Sequence, residues 1–112
     1  MSVEHWPVRW AGKTVVVEFP AEIDVTNAGQ IRELLRSLVE ESGAEVVVVD
    51  MAGTTFCDSA GVTALATAYR KAVGRGADMK IVAANAPVLR IFELTGLDQV
   101  LSIFGNMAAA LS

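Results

Sequence analysis

The sequence predicts an α/β domain: a mixed sheet of four to five strands, opened by an antiparallel hairpin and continued by parallel strands, packed with about four helices. Three observations predict it. Short apolar runs recur as TVVVEF (14–19), EVVVVDM (45–51) and MKIVAA (79–84), each of strand length. Segments with helical spacing lie between them. That alternation requires crossovers, and right-handed crossovers join parallel strands. With 112 residues, 53% of them hydrophobic, the chain is expected to form a single domain over 1–112 with a substantial core. It carries no internal repeat and no low-complexity linker.

Residues 3–10 are expected to form a first strand, placed at a sheet edge because Pro7 cannot donate to a ladder. Ala11, Gly12 and Lys13 make a tight connection to the β-branched strand 14–19, which gives the hairpin. The segment PAEIDVTNA opens a helix, with Asp24, Thr26 and Asn27 all able to cap its free amides. Within it Ile31, Leu34, Leu35, Leu38 and Val39 form one apolar stripe, and Ser42-Gly43 ends it. The run 45–51 is apolar on both faces, as in a central parallel strand. After FCDSAG, the positions Val62, Leu65, Ala66, Tyr69 and Val73 mark a second helix, closed by Gly74 and Gly76. Strand 79–84 follows, then a helix started by Asn85-Ala86-Pro87 and ended by Thr95-Gly96. A strand over 100–104 and a short helix, NMAAAL, complete the order.

Composition excludes several functions. The net charge is −4 and the basic residues are scattered, which argues against a nucleic-acid partner. No apolar run approaches the roughly 18 residues of a membrane span, so no membrane insertion is expected. The start MSVEHWP lacks the basic and apolar regions of a secretory signal. A lone cysteine fits a reducing compartment, and a cytoplasmic location is expected.

The local motifs with possible chemistry are weak. AGKT (11–14) resembles part of a phosphate loop, but Pro7 stands where the first glycine belongs, and a strand rather than a helix follows. Cys57 would need a base, and the only histidine, His5, lies on the expected edge strand. A buried thiol acting as a small hydrophobe is the better reading. No His, Cys and carboxylate cluster has metal-ligand spacing, and neither a cofactor nor a catalytic residue is expected.

Ser59, inside FCDSAGVT, stands at the start of the second helix. Its hydroxyl either caps a free amide or serves as a switch. Ala60 and Gly61 are small enough for a partner to approach the backbone. Free amides and the helix dipole would accept a phosphate there, and phosphorylation would add about −1.5 to −2 charges beside Asp58.

EIDVTNA, FCDSAG and LRIFELTGLDQVL, in this order and spacing, resemble the STAS domains of bacterial anti-sigma-factor antagonists from about Val15 to Leu111. The resemblance implies a single STAS-like domain without enzymatic activity. It implies that Ser59 is phosphorylated by the partner, an anti-sigma factor with serine kinase activity. The unphosphorylated form binds that partner and releases a sigma factor, phosphorylation switches binding off, and a PP2C-type phosphatase resets it. Glu22, Ile23 and Asp24 match the family's second contact segment, which with Asp58, Ser59, Ala60 and Gly61 makes the implied partner-binding set. Ala21 stands in place of a glycine, which predicts a narrower backbone range in that loop. Ala60 replaces a second hydroxyl and leaves Ser59 as the phosphoacceptor. Two other readings remain: a standalone STAS subunit of a lipid-transport ABC system that binds its ATPase, and a small enzyme with Cys57 or Ser59 as nucleophile.

Overall fold

The computed structural model describes residues 6–112, so His5 and the start of the expected first strand lie outside the described residues. Strand β1 runs over Val8–Ala11, immediately after Pro7, and β2 over Thr14–Glu18. They pair antiparallel through a turn at Gly12, whose φ of 62° suits a residue without a side chain. Strands β3 (Glu22–Ile23), β4 (Val46–Asp50), β5 (Phe56–Cys57), β6 (Asp78–Val82) and β7 (Ser102–Phe104) follow. Helices α1 (Ala28–Glu40), α2 (Ser59–Gly74), α3 (Ala86–Thr95) and α4 (Met107–Leu111) alternate with them. The main sheet has the order β1-β2-β4-β6-β7, parallel from β2 onward. The hairpin, the edge position of the first strand and the central place of the valine run are as expected.

The register explains that run. Val15 and Val17 lie beside Val47 and Val49, which lie beside Met79 and Ile81, and all six belong to the main core. Ile31, Leu35, Leu38 and Val39 of α1 and Val88 and Phe92 of α3 join the same core. Val16, Val48 and Val82 face the other way, into a smaller cluster with Ala110 of α4 and with Phe104 and Met107 at its margin. A strand covered on both faces has no polar side to alternate with. Lys80 fixes the small roof: its ammonium donates to the Ala110 carbonyl at 2.9 Å, at the end of α4, and lies 5.5 Å from the centroid of the Phe104 ring.

Two expectations are corrected and one pairing was not expected. In α2 the inward stripe is Val62, Ala64, Leu65, Ala68 and Ala72, whereas Val73 is exposed and Ala66 and Tyr69 are half-buried. The buried alanines let α2 lie close against α1, with which it packs most extensively. The last strand begins at Ser102 rather than at residue 100, because Leu97–Gln99 form a 3-10 turn that carries Leu97 into the core. The two short strands β3 and β5 pair parallel in a sheet of their own, beside the main one in chain order but separate from its ladder. Asn85 and Gly96 cap α3 as expected: Asn85 Oδ1 accepts from the Val88 amide at 3.1 Å, and Gly96 has φ 79°.

Candidate functional site

The segments around residues 20–24 and 54–59 are far apart in sequence and zipped together in space. The buried Thr54 hydroxyl donates to the Pro20 carbonyl at 2.8 Å. The Thr55 amide donates to the Ala21 carbonyl at 2.8 Å. Glu22 then pairs with Phe56 and Ile23 with Cys57, and the Asp58 amide donates to the Ile23 carbonyl at 3.1 Å. Strand alternation sorts the side chains. Ile23 and Cys57 point inward, at 0% and 1% exposure, while Glu22 and Phe56 stay on the surface. Glu22, Asp24 and Ser59 are thereby brought to one surface, whereas Ile23, expected among the partner contacts, is buried beneath it because strand alternation turns it inward.

Asp24, Thr26 and Asn27 were expected as helix caps, and their side chains serve the loop instead. Asn27 occupies the cap position of α1 without a side-chain cap bond. Its Nδ2 donates to the Glu22 carbonyl at 2.8 Å and its Oδ1 accepts from the Asp24 amide at 3.1 Å. Asp24 accepts from the Thr26 hydroxyl and amide, which holds its carboxyl below the usual carboxylate range. These bonds fix the backbone of 22–27 from within. Ala21 imposes no strain there, since no non-glycine among the described residues has positive φ.

The cap of α2 also differs from expectation. Asp58 is its N-cap: Oδ1 accepts from the Ala60 amide at 3.0 Å and the Gly61 amide at 3.2 Å. Ser59 is the first helical residue, is exposed, and its hydroxyl has no hydrogen-bond partner among the described residues. The hydroxyl is therefore not a cap. Two of the amides expected to be free for a phosphate, those of Ala60 and Gly61, are already engaged by Asp58.

Gly61 is buried, so it does not offer its backbone to a partner as expected. A Cβ there would stand 2.7 Å from both Cys57 Sγ and Ile23 Cγ2. Glycine lets the first turn of α2 close on the paired strands, while Ala60 stays half-buried beside Ser59. Gly61→Ala should cost about 1–3 kcal/mol, because overpacking outweighs the roughly 1 kcal/mol of helix propensity that alanine adds. Chemical denaturation checks this, and an unchanged or raised stability would contradict the close packing described.

Cys57 is a core residue. Burial first, and the neighbouring Asp58 charge second, push its thiol up to about 11, which keeps the thiolate scarce at neutral pH. No group of three metal-ligating side chains occurs among the described residues.

Strand-helix periodicity does not mark two exposed apolar residues at this surface, Val25 (77% exposed) and Phe56 (50%). The only signal for Phe56 is its place one residue before a cysteine that points inward. Val25 lies in a loop, where no periodicity applies.

The STAS-domain family model matches residues 5–110 of this sequence. The chain belongs to the STAS-domain family. A Mycobacterium tuberculosis protein named as an anti-anti-sigma factor is 32% identical to it, over 90% of this chain and 69% of that one. The solved structure of an anti-sigma factor antagonist from Mycobacterium paratuberculosis superposes with a TM-score of 0.87 at 27% identity, covering 96% of this chain and 90% of that one. The Bacillus cell fate determinant SpoIIAA in its phosphorylated form superposes with a TM-score of 0.73, covering 96% of each chain. At 17% identity that last likeness concerns the fold alone. No helix among the described residues of this STAS domain is long and apolar enough to cross a membrane.

Proposed function

We propose that this STAS domain is a non-enzymatic anti-sigma-factor antagonist of the cytoplasm, with Ser59 as its switch. Glu22, Asp24, Asp58–Ala60, Val25 and Phe56 form the docking surface for an anti-sigma factor with serine kinase activity, and the buried Ile23 and Gly61 shape that surface from beneath. Docking in the unphosphorylated form displaces a sigma factor. The kinase then transfers the γ-phosphoryl group of ATP to Ser59 Oγ; ADP leaves, and the hydroxyl proton passes to a base on the kinase. A PP2C-type phosphatase hydrolyses the phosphoserine and restores the hydroxyl.

The observation that carries this reading is the state of Ser59. It is exposed at a helix start, released from capping by Asp58 and set beside the Glu22–Asp24 segment. With Asp58 at the cap position, the Ser59 hydroxyl has no structural bond to make among the described residues and is left for a partner. The names of the relatives support the antagonist role. A lipid-transport STAS subunit that binds an ATPase needs no phosphoacceptor, and no feature of the surface favours it.

Incubation with the cognate anti-sigma factor and ATP, followed by intact mass and site mapping, tests the switch. One phosphoryl group on Ser59 is the expected result. A protein that binds the anti-sigma factor yet remains unmodified, or is modified elsewhere, would overturn it.

A further inference from the structure

Resting on the reading of Ser59 as phosphoacceptor, we infer that Asp58 is a positioning residue that keeps a phosphate on Ser59 turned outward, away from the helix it begins. At the start of a helix, amides and dipole ordinarily draw an anion inward. Here one oxygen of Asp58 already takes both the Ala60 and the Gly61 amides, at 3.0 and 3.2 Å. Its main chain is held as well: the Asp58 amide donates to Ile23, and its carbonyl accepts from the Val62 amide at 3.1 Å. The carboxylate is thus fixed on the Ala60 and Gly61 amides, two inward donors that a neighbouring phosphate would seek.

A phosphoserine at position 59 would therefore find the Ala60 and Gly61 donors occupied and a fixed negative charge beside them. Glu22 and Asp24, on the strand and loop paired with this segment, carry the same sign. The dianion is left on the surface, where an approaching partner meets its full charge. The carboxylate that caps the helix also preserves the visibility of the modification.

The test uses the full chain with phosphoserine installed at position 59 by genetic encoding, so it needs neither the kinase nor the partner. Phosphorus NMR titration should place the second phosphate pKa of the protein with native Asp58 about half a unit above that of the Asp58→Asn variant, since asparagine keeps the cap and removes the charge. Equal values in the two would overturn the inference. Thermal melts give a second, independent arm. Phosphoserine should leave the melting temperature with native Asp58 unchanged or lower, and should raise that of Asp58→Ala, whose Ala60 and Gly61 amides are free. An equal rise in both would show the phosphate engaging the amides despite Asp58, which is the opposite of what is inferred. If Asp58→Ala fails to fold, the titration alone decides. Failure of the kinase to modify Ser59 would remove the proposed switch without altering either measurement.

Discussion

Ser59→Asp is expected to fold like the wild type and to lose its anti-sigma-factor partner by tens to thousands of fold. The folding half follows from the cap. Ser59 contributes no capping bond, and an acidic side chain is tolerated in the first turn of a helix. The binding half follows from the surface. A fixed charge introduced where a neutral hydroxyl meets the partner removes contacts and adds an unpaired, desolvated group. Such changes cost about 2–5 kcal/mol, which sets the range of affinity loss. Ser59→Ala should bind the partner, resist modification, and change stability by no more than about 0.5 kcal/mol. Titration calorimetry of both variants, with thermal melts alongside, makes the comparison. Wild-type affinity in Ser59→Asp would sink the switch. A marked loss of stability in Ser59→Ala would mean that the hydroxyl is structural after all.

The second large effect lies in the core. Leu35→Asp should abolish folding or leave an aggregating product. The Leu35 side chain is fully buried among the strands and α2, so the variant would place an unpaired carboxylate there, at a cost of several kcal/mol against a total stability of about 5–15. Leu34→Asp should be clearly milder, since Leu34 is half-buried and its new carboxylate keeps contact with water. Glu33→Ala removes an exposed pair with Arg36 and should cost less than about 1 kcal/mol. Far-UV circular dichroism and urea denaturation rank the three. Equal behaviour of Leu34→Asp and Leu35→Asp would show that the rotation of α1 against the sheet is wrong.

That pair also shows where sequence patterns lose resolution. Leu34 and Leu35 both satisfy helical spacing, and only the neighbouring layer decides which one points inward. The same limit applies to α2. Large side chains suggested Val73, yet the face against α1 is built from alanines, because closeness there matters more than size. The main strands were legible because burial on both faces leaves continuous valine runs, a signal that needs no partner to be read. Strands β3 and β5 were not. Two residues each are too short for any period, and they exist only because each finds the other. The segments Glu22–Asp24 and Asp58–Gly61, proposed as the site, were legible as motifs, but the burial of Ile23 and Gly61 and the division of labour between Asp58 and Ser59 were not. A serine after an aspartate at a helix start leaves two possible caps. The choice depends on the backbone at Asp58, which is held extended by its bond to Ile23.

The pairing of β3 with β5 has a consequence for the order of events during synthesis. Thr54 and Pro20, which clamp the site, are 34 residues apart. Between them lie α1 and β4, which must emerge before the clamp can close. A nascent chain that ends before residue 54 contains Glu22–Asp24 with its own loop bonds but lacks β5, the strand that sets its register. The proposed docking surface therefore comes into being late, once β5 has emerged to pair with β3. On the proposed function, a chain that ends before β5 lacks one of the two docking segments, and only one that has completed its first β-α-β crossover can present both.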